Sequence, residues 1–402
     1  MSPGNEAITC PFDFSEGLEF DPSLAKLMDH DSPTRIRLPY GDADAWLVTG
    51  FEGVQRVTTD PRFSRAAILE FDYPRLTPEP IVSPESINVM DPPQSSRLRR
   101  LASQVFSQRQ VDECMRGRII RLADRLLDEM EEQGAPADLV DRLSNPLPQH
   151  TIFDLLGIPR ADWAPTQQNL QRLLATGPDR REVAATAKAE LRAYFGALVD
   201  QRRDAPGDDL ISALAAARDG EDVLDDQELA VMALTLTLSG QDTATCQISD
   251  ICYLLLTRPE LMKHLSARPE SLTDVLNELL RYIPFRKGVG IPRVALEDVE
   301  MDGVRIRKGD FVHVSYLTAN RDPERYPDPE FIDPDRPPMP HMTFGWGGHR
   351  CIAVPLAMAE LEVAIGRLLE RFPGLRLAVP PEDVRWDTET IRRFPLELPV
   401  AW

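Results

Sequence analysis

The sequence predicts a mixed α+β protein, mainly helical, folded as one domain over residues 1–402 with a helix-rich core and small β-sheets. Three observations predict this. Helical apolar patterns fill the middle of the chain, at 97–133, 145–174, 179–203, 208–217, 226–258 and 270–282. Strand-like runs are confined to the two ends, at 36–49 and again at 291–317 and 375–399. No internal repeat, low-complexity run or long linker divides the chain, and the Pro-rich stretches 73–93 and 323–340 read as ordered loops.

Residues 36–49 alternate and pause at Gly41-Asp42, as a hairpin does. Pro or Gly punctuates many of the helix junctions that follow. The stretch 226–258 is the longest helix candidate, with Asp225 and Glu228 spaced as a capping box and Pro259 just past its end. At about 1.5 Å per residue it would cross the whole domain. Its middle breaks helix rules: Thr235, Thr237, Ser239, Thr243 and Thr245 compete for backbone hydrogen bonds, and Gly240 costs about 1 kcal/mol relative to Ala. A last amphipathic helix is expected from Pro355 to Phe372.

Charge and composition exclude several classes. Forty-five Lys and Arg against 65 Asp and Glu give a formal charge of −20, which repels phosphate backbones and anionic lipid, so neither nucleic acid nor a membrane is an expected partner. Residues 1–20 carry acids and prolines where a secretion signal needs a basic patch and an apolar run, and nowhere do 18 apolar residues run uninterrupted. A cytoplasmic, monomeric protein is expected. Five cysteines (Cys10, Cys114, Cys246, Cys252 and Cys351) form no CxxC and no Cys/His cluster at zinc spacing.

One cysteine stands apart. In His341-Met-Thr-Phe344-Gly345-Trp-Gly347-Gly348-His349-Arg350-Cys351 a Gly-rich loop puts Cys351 at a helix start. There the helix dipole and free N–H groups favour thiolate, and the missing Cβ atoms let backbone approach a flat ligand. A single soft ligand serves neither a four-coordinate zinc nor an iron–sulfur cluster. A haem iron, with four nitrogens from its macrocycle, needs only one.

With that loop, Phe344-Gly345-x-Gly347-x-His349-x-Cys351, the chain resembles the cytochrome P450 family of haem-thiolate monooxygenases along essentially its whole length. Ala353 stands where the family usually has Gly. The resemblance implies haem b (iron protoporphyrin IX), with Cys351 as axial metal ligand, Phe344 and Gly345 packed on the thiolate side and His349 donating to a propionate. It also implies propionate contacts from Arg99 and Arg293, whereas the family's usual His four residues before Arg99 is Ser95 here. Glu278 and Arg281 match the family's Glu-x-x-Arg pair, completed by Arg336 as a structural network. Ser239-Gly240-Gln241-Asp242-Thr243-Ala244 resembles the oxygen-activation segment. Reductive scission of dioxygen consumes two protons, so Thr243 is expected to hydrogen-bond dioxygen, Asp242 to feed protons and Gly240 to leave room beside the haem.

The same resemblance implies separate electron donors, a ferredoxin and a ferredoxin reductase. No G-x-G-x-x-G follows a strand to bind a nicotinamide cofactor. Eight Arg (97, 99, 100, 109, 116, 118, 121, 125) against three acids in 97–125, with Arg350, suggest a basic docking surface. The substrate pocket is expected from Phe71, Ile87, Val89, Leu234, Leu238, Val289, Ile291, Ile391 and Phe394. In the segments at 283–292 and 342–349 the chain looks most like actinomycete enzymes that tailor macrolides, polyene macrolides included. Hydroxylation, epoxidation or methyl-to-carboxyl oxidation in antibiotic biosynthesis is therefore expected. A non-catalytic haem-binding sensor has no need of Asp242 and Thr243, and a peroxide-driven haem-thiolate enzyme would generally not retain them.

Overall fold

The computed structural model describes residues 7–14, 16–30, 32–174, 181–217 and 222–402. The first two residues of the helix expected at 179–203 lie outside these, and the helix is described from Arg181 to Asp204.

Asp226–Thr257 is one continuous helix, closed by the expected capping box: the Asp225 carboxylate accepts from the Glu228 amide at 2.8 Å and Glu228 accepts from the Asp225 amide at 3.0 Å. The anticipated disruption at its centre does not interrupt it, because Thr237 and Thr243 return their hydroxyls to carbonyls four residues back, at 2.7 and 2.8 Å. Pro259 does not simply follow the helix. It is the first residue of another, Pro259–Ala267, where its missing N–H has no partner to lose.

The expected 97–133 helix is several pieces: Gln94–Ser103, then a turn, then a π-type turn at Val111–Met115 leading into Arg116–Gln133. Gly134, at φ 79°, ends the last piece by donating to Met130 and Glu131 carbonyls. Likewise 145–174 divides into Pro146–Leu155 and Trp163–Leu174. The long helix packs against Arg181–Asp204, Pro146–Leu155 and Val354–Arg371. A Leu- and Ile-rich core lies among them.

Six strands form the larger sheet. Thr34–Arg37 and Ala45–Val48 are the expected hairpin, and Ala45–Val48 also pairs in parallel with Phe311–Val314. Arg293–Ala295 then pairs with Phe311–Val314 on one side and with Phe63–Ser64 on the other, both antiparallel. Ile8–Thr9 completes the far edge. Val299–Met301 and Val304–Ile306 close around Asp302-Gly303, both at positive φ. Strands are not confined to the two ends: Ala137–Asp138, mid-chain, pairs with Pro399–Ala401, which also pairs with Arg376–Leu377.

Candidate active site

The Cys351 loop is held by its own backbone and by the helix Leu272–Tyr282. Thr343 Oγ1 donates to the Leu280 carbonyl at 2.7 Å, Asn320 Oδ1 accepts from the Met342 amide at 2.6 Å, and the Cys351 amide donates to the Phe344 carbonyl at 2.7 Å. Gly345 and Gly347 take φ of 74° and 65°, which side chains avoid. At Gly347 a Cβ would also lie 2.3 Å from the Thr58 carbonyl oxygen. The close approach there is to the helix Phe51–Thr59, correcting the expectation that the missing Cβ serves a flat ligand.

Cys351 is not at the helix start either. Ala353 caps the helix and Val354 begins it, so Cys351 precedes the first helical residue by three positions, and the N–H that reaches the thiol is that of the capping residue, Ala353. Burial pushes the thiol pKa up, although residual area keeps the residue exposed, while the Ala353 N–H and the Arg99 and Arg350 guanidinium groups pull it down.

Glu278 anchors the region. Its carboxylate accepts from Arg281 at 2.7 and 2.8 Å and from Arg336 Nε at 3.1 Å, and from the Asp333 amide at 3.0 Å. Arg281 also donates to the carbonyls of Asn320 and Pro329, both at 2.9 Å, and so ties the helix to the segment leading into the Cys351 loop. Both Glu278 and Arg281 are buried.

Beside this loop four basic groups converge. Arg293 is 1% exposed, yet both terminal guanidinium nitrogens lack a hydrogen-bond partner. His349 is pushed down to about 2 by burial and then by Arg65, Arg293 and Arg99. Arg65, absent from the sequence reading, is pushed down to about 9 by burial and by Arg293. Register puts it there: Ser64 pairs with Val294, so the next residue comes level with Arg293. Asp91 fixes the turn, accepting from the Arg65 amide at 2.9 Å. Nothing local marks Arg65 in the sequence. Arg99 donates to the Arg350 carbonyl.

Across the long helix lies a cavity of about 200 Å³. Leu234, Leu238, Val289, Ile291 and Ile391 line it. Ser239 and Asp242 do too, and the Asp242 carboxylate accepts from Arg392 at 3.1 Å with Arg286 at 3.8 Å. Thr243 is not in the lining; its hydroxyl donates to the Ser239 carbonyl at 2.8 Å.

Four residues expected in the pocket lie away from this cavity. Phe71 is 49% exposed and meets the Phe311 ring edge-on at 5.6 Å. Ile87 and Val89 turn into separate cores, since the 3₁₀ turn Ile87–Val89 sends Ser86 and Asn88 to the cavity instead. Phe394 is buried beneath the Arg392 guanidinium, 4.9 Å from its ring. Gly240 faces a neighbouring helix. A Cβ there would meet Ile152 at 3.1 Å, so its bareness serves packing against Pro146–Leu155.

Fold and donor set together define a protein that presents one thiol beside a buried, anion-seeking cluster, with a cavity along its longest helix. The family description Cytochrome P450 matches residues 269–391. Nocardicin C N-oxygenase of Nocardia uniformis subsp. tsuyamanensis is 44% identical, covering 98% of both chains. Mycinamicin IV hydroxylase/epoxidase of Micromonospora griseorubida is 42% identical, again over 98% of both. The crystal structure of cytochrome P450mel 107F1, described as having biaryl coupling reactivity, superposes with a TM-score of 0.97 at 57% identity, covering 99% of this chain and all of that one. The chain belongs to the cytochrome P450 family, and it is a P450 monooxygenase.

The family implies haem, and the residues fit it. Haem brings two carboxylates, and the unpartnered nitrogens of buried Arg293, flanked by Arg65, Arg99 and His349, are donors lacking such acceptors. Among the described residues, no helix is long and apolar enough to cross a membrane.

Proposed function

We propose that this monooxygenase, as one cytoplasmic domain over residues 1–402, oxidises a polyketide in antibiotic biosynthesis, using haem b that the Cys351 sulfur would hold. The convergence of Arg65, Arg99, Arg293 and His349 beside the Cys351 loop carries the reading, because burying two propionates requires paired donors. Phe344 and Gly345 shape the thiolate side, and Glu278, Arg281 and Arg336 hold that loop in place.

When bound, haem supplies reductive activation of dioxygen. The chain's own part is proton supply and exclusion of water. Asp242 sits at the cavity wall between Arg392 and Arg286, where its carboxylate can take a proton from solvent. Turning from Arg392, it passes that proton toward the Thr243 hydroxyl, which leaves the Ser239 carbonyl to donate into the site.

A ferredoxin and its reductase supply electrons. The docking surface is narrower than the sequence suggests, because Arg97, Arg109, Arg116, Arg118 and Arg125 each hold a carboxylate. Arg350 remains exposed beside the thiolate.

A macrolide substrate is supported by the segments at 283–292 and 342–349 and by the mycinamicin relative. A second reading, oxidative coupling of aromatic rings, is favoured by the cavity. Its volume is below the roughly 300–1,000 Å³ of drug-sized ligand pockets, and hydroxyls of Thr77, Ser83, Ser86, Thr235 and Ser239 line it. The test is turnover by holoenzyme with ferredoxin, reductase and labelled dioxygen. Labelled oxygen in a macrolide product supports the first reading, and an unlabelled dimer of a phenol supports the second. A reduced-carbonyl spectrum without the thiolate signature overturns both.

A further inference from the structure

The cavity wall is basic in an acidic protein. Of its charged residues Arg75, Lys188, Arg286 and Lys287 are cations and Asp242 alone is an acid, whereas acids outnumber bases 65 to 45 overall. Much of this charge has a partner close by. Arg75 pairs with Asp72. Arg392 lies between Asp242, at 3.1 Å, and Asp387, at 3.3 Å, and Arg286 adds a second cation near Asp242. Glu79 and Glu85, near Lys188, are taken by Arg181 and Arg192.

Two lysines are left over. Among the described residues neither Lys188 nor Lys287 has a carboxylate within ion-pair distance. Lys188, on the helix Arg181–Asp204, donates to the Pro80 and Val82 carbonyls at 3.5 and 3.1 Å. An ammonium has three donors, so one is unused. Lys287 is 9% exposed and donates once, to the Thr388 carbonyl at 3.1 Å, leaving two. Burial depresses both ammonium groups, with only the more distant carboxylates of Glu79, Glu85, Asp387 and Asp13 opposing it. Arg286, next to Lys287 in the chain and in the same cavity wall, has no side-chain hydrogen bond among the described residues and approaches Asp242 at 3.8 Å. Withdrawing cations from water without an anion is costly. The remaining lining is apolar, from Leu234, Leu238 and Ile291 among others.

We propose that the cavity selects a compact aromatic acid, whose flat ring fills the apolar wall and whose oxyanion, a carboxylate or an ionised phenol or enol, is held by Lys188, Lys287 and Arg286. This deepens the second reading above, oxidative coupling of aromatic rings, and rests on it.

The test uses holoenzyme that shows the thiolate signature in its reduced-carbonyl spectrum, with calorimetric and Soret titrations of matched probes. Naphthoate against naphthamide reads a carboxylate, and hydroxynaphthoquinone against its neutral methyl ether reads an ionised enol. The expected result is tighter binding of at least one anion than of its neutral partner, by about tenfold or more. That preference should fall with added salt and be lost in Lys188→Met and in Lys287→Met, while the neutral probe binds these variants as it binds the native protein. Lys188 is only part-buried, so its variant remains informative should Lys287→Met misfold. Equal binding of acid and neutral partner, or no binding of either acid, overturns the proposal while leaving the monooxygenase standing. Absence of the thiolate signature overturns the monooxygenase reading and the proposal with it.

Discussion

Arg293 shows how a single side chain can point to a ligand. A guanidinium 1% exposed with two unpartnered nitrogens is costly unless an anion completes it, and Arg65, whose buried Nε also lacks a partner, joins it there. Arg293→Leu and Arg65→Leu should therefore each speed haem transfer to excess apomyoglobin by about tenfold or more, as one charge-assisted contact is lost. Unchanged transfer rates in both variants would remove the propionate assignment. At Thr243, whose hydroxyl is already engaged with the Ser239 carbonyl, the expected effect is on proton supply alone. Thr243→Ala should keep the haem spectrum but divert reducing equivalents into peroxide, read as peroxide formed per reductant consumed. Full coupling in that variant would sink the relay.

At the scale of the element, the long helix carries a Gly that helix propensity opposes and packing requires. Gly240→Ala gains about 1 kcal/mol of propensity but sets a methyl 3.1 Å from Ile152. It should lower the melting temperature, and by less in an Ile152→Ala background, which lacks the Cγ1 and Cδ1 atoms it meets; a single variant more stable than the native protein contradicts the packing account. The helix Val354–Arg371 carries a different conflict, in Glu360, 3% exposed, whose carboxyl burial raises well above its ordinary 4.5. The folded chain keeps that proton while the unfolded chain releases it above about pH 4.5, so stability falls as pH rises through that window. Glu360→Gln removes the dependence. Its stability gain in urea should be greater at about pH 8 than at about pH 5, and a gain independent of pH would show that Glu360 is ionised in the fold.

For the whole molecule, the Glu278 network joins the helix Leu272–Tyr282, the Pro-rich segment and the Cys351 loop. Glu278→Ala leaves Arg281 and Arg336 facing one another without their carboxylate. It should cost about 3–5 kcal/mol in urea unfolding, since breaking a buried pair strands its charge. A loss under about 1 kcal/mol would mean that water enters and solvates the arginines.

What the chain determines by itself is local. The capping box at Asp225 and Glu228, the hairpin of Thr34–Arg37 with Ala45–Val48, the Gly-rich loop with its single thiol and the Glu-x-x-Arg pair are all set by residues a few positions apart, and each was legible. What tertiary structure alone decided depends on residues far apart. Arg65 reaches the anion-seeking cluster only because Phe63–Ser64 pairs with Arg293–Ala295, some 230 positions on. Ser86 and Asn88 replaced Ile87 and Val89 at the cavity because a 3₁₀ turn reversed their faces. Gly240 and Gly347 proved to serve neighbouring helices, which no spacing along the chain records. The balance of charge around Lys188 and Lys287 was likewise invisible, because an ion pair is fixed by distance in space, and composition gives only its sum.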